Sequence, residues 1–419
     1  MKQLFTHDIH FNIFYILLLA AMATLPFTNW LMLPIAVLML LNWITEWNWR
    51  EKWQILKTRK AIPAIIIFSA FFYLALYGLF LSFNKSKAAS CFDCYLWFAV
   101  APLVLLTSKP DQLNKQRIRC SFALFTFFTT LCVIALLVIA IYHVAITGNR
   151  FYLYYVKFSV FKHPSYMAMY VTMSISFIFY FLWKKWKKMI LWQILLLLCA
   201  LTLLFVGAVL LQSKAGLLVL GVTLVLWFLF FIFHQKHKIG WTILFAMICF
   251  ATVWVVFKSD VIRYNRIKDL VGVAQNHRDN PYGYESSQIR LTLWKTAWEV
   301  SQKNLPWGVG TGDVWDEMQV HAVYHNYHNI IGRKYNAHNQ YLQTLMMAGI
   351  PGIVVLLAFC GYPLIRSIRK RDILYLLFSI LLILNIIVEC MFEQRAGVDF
   401  FALMNALLFL RDNQLLYSK

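Results

Sequence analysis

Polar residues are scarce over most of this chain, and where they occur they cluster between long apolar runs. Twelve runs stand out, at 12–28, 30–45, 61–83, 95–107, 120–145, 164–183, 189–211, 215–234, 240–257, 340–365, 373–391 and 396–411; the fourth is short and can equally start nearer Cys91. A helix needs about 20 apolar residues to cross a bilayer. Backbone polar groups cannot stay unpaired in lipid, so such runs predict helices. The strands of a membrane barrel would instead alternate in polarity over about ten residues, and nothing in the chain alternates in this way. The pattern predicts an all-α polytopic membrane protein with about twelve transmembrane helices.

The connections carry an orientation signal. Five alternate loops hold nineteen cations: Arg50, Lys52, Lys57, Arg59 and Lys60; Lys109, Lys115, Arg117 and Arg119; Lys184, Lys185, Lys187 and Lys188; Lys236 and Lys238; Arg366, Arg369, Lys370 and Arg371. The opposite short loops hold seven: Lys85, Lys87, Arg150, Lys157, Lys162, Lys214 and Arg395. By the positive-inside rule both termini are expected in the cytoplasm. The first 27 residues resemble a signal peptide, with Ala-Met-Ala at 21–23, but a second span follows directly and the basic region is a single lysine. We expect a retained first helix.

Composition agrees. Of 419 residues, 61% are hydrophobic and 14% charged, against roughly 25% charged in a soluble domain. Disorder, collagen and coiled-coil readings are excluded. The net charge of +21 would suggest nucleic acid if the cations lined a groove with stacking aromatics. They sit in short interspan loops instead, as a topology and anionic-lipid signal, and no nucleic-acid partner is expected.

One segment breaks the pattern. Residues 258–339 carry ten Lys or Arg, eight Asp or Glu and five His, and the loop count puts them on the outer side. So long a connection is expected to be a functional element. The chain thus divides into spans one to nine (1–257), an outer catalytic loop (258–339) and spans ten to twelve (340–419).

Within the loop, residues 286–303 read as a helix, with Ser286 or Ser287 as its cap and Asn304-Leu-Pro306-Trp-Gly308 as its stop. Gln288, Thr292, Lys295, Glu299 and Gln302 form a polar stripe; Ile289, Leu293, Trp294, Ala297, Trp298 and Val300 make the other face. Arg290 points from that apolar face. An unpaired guanidinium costs several kcal/mol to desolvate, so it must meet an acid, snorkel to the membrane surface, or grip an anionic ligand with its planar fork. The following PWGVGTGD, 306–313, has phosphate-loop spacing but neither a preceding strand nor a Gly-Lys-Ser/Thr. A close turn, involving Gly310 and Asp313, is the better reading. His321 and His325, four residues apart, could share a metal on one helix face. Position 322 is Ala, so His-Glu-x-x-His is absent, and no metal is expected.

His338 sits where the outer loop enters the tenth span, at the lipid–water boundary. An imidazole there can take a proton from a hydroxyl, or simply make a capping hydrogen bond with Asn339. Lys214 is pinned at the outer face between spans seven and eight, either snorkelling or contacting an anion. His163-Pro164-Ser165-Tyr166 opens span six as a proline-started helix or a further part of the site. Glu389, Glu393, Arg395 and Asp399 crowd the outer end of the last two spans; ionisable groups there are functional candidates, though Glu393 and Arg395 can pair. Cys91 and Cys94, at an outer helix end, are placed where a disulfide is permitted.

The order of HPSY at 163–166, QSKAG at 212–216, an Arg-bearing outer helix, GVGTGD at 308–313, and AHNQYLQ entering a span at 337–343 resembles the O-antigen ligase and O-antigen polymerase superfamily, most specifically from about residue 160 to 365. The resemblance implies a GT-C-like fold and a metal-independent glycosyltransferase of the inner membrane that uses no cofactor. The implied donor is a glycan on undecaprenyl diphosphate. The implied acceptor is lipid A–core in ligases or a lipid-linked repeat unit in polymerases; transfer to a protein hydroxyl is a third reaction of such enzymes. The family's histidine before asparagine falls on His338, as base for the acceptor hydroxyl. Its outer-loop arginine falls on Arg290, gripping the diphosphate. Its arginine in a short interspan turn falls on Lys214, which keeps the charge but lacks the bidentate fork. His163, Tyr166, Asn339, Gly310 and Asp313 are expected in support. The rivals from other classes are a transporter, which would place its polar groups near the midplane of repeated halves, and a metalloprotease using His321 and His325.

Overall fold

The computed structural model describes residues 8–234 and 286–416, with side chains over 8–233 and 288–411. The ninth expected span, 240–257, and the expected outer residues 258–285 lie outside the described residues. The described chain is helical, and it contains no strand.

Helices stand at the other eleven expected spans: α1 (Ile9–Thr24), α2 (Met32–Thr45), α4 (Ile62–Leu81), α6 (Leu96–Thr107), α7 (Lys115–Thr147), α9 (Pro164–Lys185), α10 (Leu191–Leu210), α11 (Lys214–His234), α14 (Gln340–Lys370), α15 (Ile373–Val388) and α16 (Arg395–Leu416). Short helices connect them: α3 (Trp49–Thr58), α5 (Lys85–Phe92) and α8 (Tyr155–Phe158). The described part of the polar segment 258–339 holds α12 (Ser286–Lys303) and α13 (Val314–Tyr324).

Seven of the helical stretches are long and apolar enough to cross a membrane, among them the continuous Lys85–Thr107. Among the described residues, seven of the eleven expected spans thus have the length and apolarity of a crossing. Helices α1 and α2, with 16 and 14 residues, extend only about 24 and 21 Å at 1.5 Å per residue, short of the ~30 Å hydrocarbon thickness. The fourth run is not short, since α5 and a 3₁₀ turn at Asp93–Tyr95 lead straight into α6. Helix α15 ends at Val388, so residues 389–394 form a turn beyond it rather than the end of a span.

Two helices form the middle of the bundle. Every residue of α9 from Pro164 to Phe179 is buried, as is every residue of α16 from Ala396 to Arg411. A helix buried all round belongs in the interior of a large bundle. The peripheral helices instead expose large apolar side chains, such as Phe80, Leu191, Leu196 and Phe233, as a lipid-facing surface requires. Phe68, Phe71, Phe98, Phe359, Phe392 and Phe401 interlock edge-to-face between α4, α6, α14 and α16.

Helix α14 is broken where the outer segment meets it. Gly349 has φ 59° and Pro351 follows. Proline has no N–H, which leaves the carbonyl four residues earlier without its helical donor. That carbonyl, on Met347, accepts from Gly310 N–H at 2.9 Å, the neighbouring Met346 carbonyl accepts from Val309 N–H at 2.8 Å, and Ile350 N–H donates to Pro306 at 2.9 Å. The PWGVG turn therefore supplies the backbone partners that the kink removes, which in lipid would be costly to leave unmade.

Candidate active site

Three chain turns and one helix converge where the polar segment 286–339 enters the bundle. The first turn, 336–340, carries His338. Its backbone lies in the left-handed region, φ 47°, uncommon for a residue with a side chain. Two side chains hold it there: Asn336 Oδ1 accepts from His338 N–H at 3.0 Å, and Gln343 Oε1 accepts from Ala337 N–H at 3.1 Å. Asn339 caps α14, accepting from Tyr341 and Leu342 N–H at 2.9 and 3.1 Å. The capping role considered for His338 thus belongs to Asn339 alone, and the imidazole is turned elsewhere.

It is turned to Glu389, on the second turn. His338 Nδ1 lies 2.7 Å from Glu389 Oε1. The carboxylate is nearly buried, at 6% side-chain exposure, while the imidazole keeps 25%. Gln340 ties the two turns together by accepting from Phe392 N–H at 2.8 Å. Helix α12 brings Arg290 to the other carboxylate oxygen, with its terminal nitrogen 3.7 Å from Oε2. That is an ion pair but too long for a hydrogen bond, and the guanidinium retains 27% exposure. One carboxylate thus serves both the imidazole and the guanidinium.

Electrostatics follow from the placement. Burial alone pushes the Glu389 carboxyl up, but the His338 hydrogen bond and the charges of His338, Arg290 and His163 outweigh it, and the net shift is downward. An ionised Glu389 fixes the imidazole tautomer: Nδ1 carries the proton and donates, and Nε2 presents its lone pair. On the third turn, His163 caps α9. The chain crowding its ring lowers its pKa, Glu389 pulls it back up, and His338 and Arg290 push it down, so His163 belongs to the same electrostatic group. Tyr166 is buried and donates to the Cys390 carbonyl at 3.3 Å, locking α9 to the Glu389 turn.

Other expected residues lie apart from this group. Gly310 and Asp313 stand at the joint between α4 and α5, where Asp313 accepts from Phe83 and Asn84 N–H, the latter at 2.9 Å. Lys214 opens α11 with a buried ammonium, and Gly216 two residues on packs against Ala168 of α9, at the His163 end of that helix. His321 and His325 face Glu299 from α13. Glu393 and Arg395 take different partners: Tyr95 donates to Glu393 at 3.2 Å, and Arg395 pairs with Asp93. Cys91 and Cys94 are both free thiols.

A comparison with protein families converges on the same region. Residues 199–357 match the family described as O-Antigen ligase. Over that stretch the chain is similar to the O-antigen ligase family. No curated relative matches the chain significantly. The extent of the match is informative. It covers Lys214, Arg290, Gly310, Asp313, His338 and Asn339, and stops short of Glu389 and His163. These last two join the group only through the fold. Sequence reasoning placed Glu389 in an acidic crowd without a partner; the only signal for it was an acid at the end of an apolar run.

Proposed function

We propose that the chain transfers a glycan from undecaprenyl diphosphate to an acceptor hydroxyl at the periplasmic face of the inner membrane, and that it is an O-antigen ligase joining polymer to lipid A–core. The observation that carries this reading is the pairing of His338 with a buried carboxylate shared with Arg290. It sets a general base beside a cation suited to a diphosphate.

His338 Nε2 takes the proton of the acceptor hydroxyl. The acceptor oxygen attacks the anomeric carbon, the bond from that carbon to the phosphate oxygen breaks, and the electron pair leaves with the diphosphate. Glu389 keeps the imidazole oriented and stabilises it once protonated. Arg290, only loosely held by Glu389, is available to grip the leaving diphosphate bidentately. Lys214 adds a second cation from the start of α11. General-base catalysis typically contributes 10²–10⁴-fold, and charge stabilisation of the leaving group ~10²–10³ per contact. No step calls for a metal or a nucleotide.

The test is genetic and chemical. Deleting the gene and examining outer-membrane glycolipids should remove all polymer from the core while polymer accumulates on the lipid carrier. A core bearing a single repeat unit would make the chain a polymerase, and unchanged glycolipids would refute glycan transfer.

A further inference from the structure

A second cluster of ligand-type side chains lies on the outer segment, away from the His338 group. Glu299 projects from α12, and His321 and His325 from one face of α13, four residues apart. Glu299 Oε2 lies 3.8 Å from His321 Nδ1 and 3.3 Å from His325 Nε2, and the three donor atoms fall within 4.8 Å of one another. Four ligands at 2.0–2.1 Å around zinc would be separated by about 3.3 Å, so small side-chain rotations bring this set to bonding geometry. The two imidazoles already lie nearly parallel, at 28° with centroids 5.9 Å apart.

The decisive feature is what these atoms lack. His321 is only 6% exposed, and among the described residues its Nδ1 has no hydrogen-bond partner; Glu299 Oε2 is likewise buried with none among them. A buried imidazole nitrogen and a buried carboxylate oxygen aimed at one point, both unsatisfied, are expensive to keep. A divalent cation between them satisfies both. The charge of Lys303 also reaches His321. Lys303 itself opposes a cation, while Glu299 and Glu317 favour one.

We propose that Glu299, His321 and His325 form a structural site for a zinc-class divalent ion. Two imidazoles and one carboxylate are the donor set of that class, with the fourth position left to water. Position 322 is Ala, so the glutamate base of a His-Glu-x-x-His helix is missing from this one. The ion clamps α12 to α13. Arg290 lies nine residues up the same helix from Glu299, about 13 Å along its axis, so the clamp steadies the helix that presents the guanidinium without touching the reacting groups. The site is independent of the glycan-transfer reading.

The experiment uses untagged full-length protein in detergent, stripped with a chelator and titrated with zinc chloride. Metal content is read by mass spectrometry after gel filtration, and thermal unfolding is followed in parallel. The wild type should retain about one zinc per chain and gain thermal stability. His325 is partly exposed, so H325N should fold normally yet bind zinc at least tenfold more weakly, given that even outer-shell changes typically cost 10–100-fold. E299Q should behave alike, and a C91S/C94S variant should bind as wild type. Cobalt in place of zinc should give the strong visible bands of a four-coordinate site in wild type and not in H325N. Zinc retention by H325N equal to wild type, or no retention by wild type, would overturn the proposal.

Discussion

Glu389 holds the site together at the scale of single residues, because its two oxygens serve different partners. Replacing it with Gln keeps the shape but removes the charge that sets the His338 tautomer, so transfer should drop by about 10²-fold or more with expression unchanged, read as turnover in reconstituted vesicles. The carboxyl titrates below its ordinary value of 4.5. Its stabilising contribution is therefore fully present above that pH and is lost as pH falls below it. Thermal unfolding of the wild type should weaken more steeply below pH 4.5 than that of E389Q; parallel curves would deny the pairing. Arg290→Lys keeps the charge and loses the fork, and should cost ~10²–10³ in kcat, whereas Arg150→Lys in an exposed turn should cost nothing. Wild-type turnover of the Arg290 variant would remove the diphosphate clamp. His338 and Arg290 were legible in the sequence because an imidazole or guanidinium at the margin of an apolar run is conspicuous. Their partner was not, since Glu389 lies 51 residues from His338. The expected Glu393–Arg395 pair failed for the same reason: closeness in sequence was outweighed by Tyr95 and Asp93 arriving from another helix.

Among elements, the PWGVG turn and the kink of α14 act as one joint. Gly310 has φ 89°, and a Cβ there would lie 2.4 Å from Ser82 Oγ and 2.8 Å from the Gly78 carbonyl. Gly310→Ala should destabilise the protein by at least about 1–3 kcal/mol through backbone strain alone, seen as a lower unfolding midpoint, with the donor KM of surviving protein unchanged. A variant of normal stability but altered KM would return Gly310 to the active site. Helix α12 matches its expected limits of 286–303, and Ile289, Leu293, Ala297 and Val300 are buried on the expected face, but Thr292 and Trp298 were misjudged. Thr292 and Thr296 are buried and Trp298 is 49% exposed. The hydroxyls donate to their own helix, Thr292 to Gln288 at 3.2 Å and Thr296 to Thr292 at 2.9 Å, so threonine enters the interior without an unmet donor. Polarity read along the sequence does not register that internal satisfaction.

For the whole molecule, hydropathy located helices at every expected span within the described residues, because burial and lipid exposure demand the same apolar composition. It does not separate a helix that crosses a membrane from one packed inside a bundle. Helix α11 packs on α9, with Gly216 against Ala168, so Lys214 stands toward the end of α9 that carries His163. On that arrangement, Lys214→Arg should be tolerated and Lys214→Ala should raise the donor KM; an Ala variant with wild-type kinetics would make Lys214 a surface-anchoring residue. The account as a whole is tested most directly by single-turnover transfer in proteoliposomes, with purified lipid-linked polymer as donor and lipid A–core as acceptor. Wild-type protein should move polymer to the core in the presence of chelator, and H338A, folded and equally abundant, should be slower by about 10²–10⁴-fold. Transfer by H338A at the wild-type rate would contradict it.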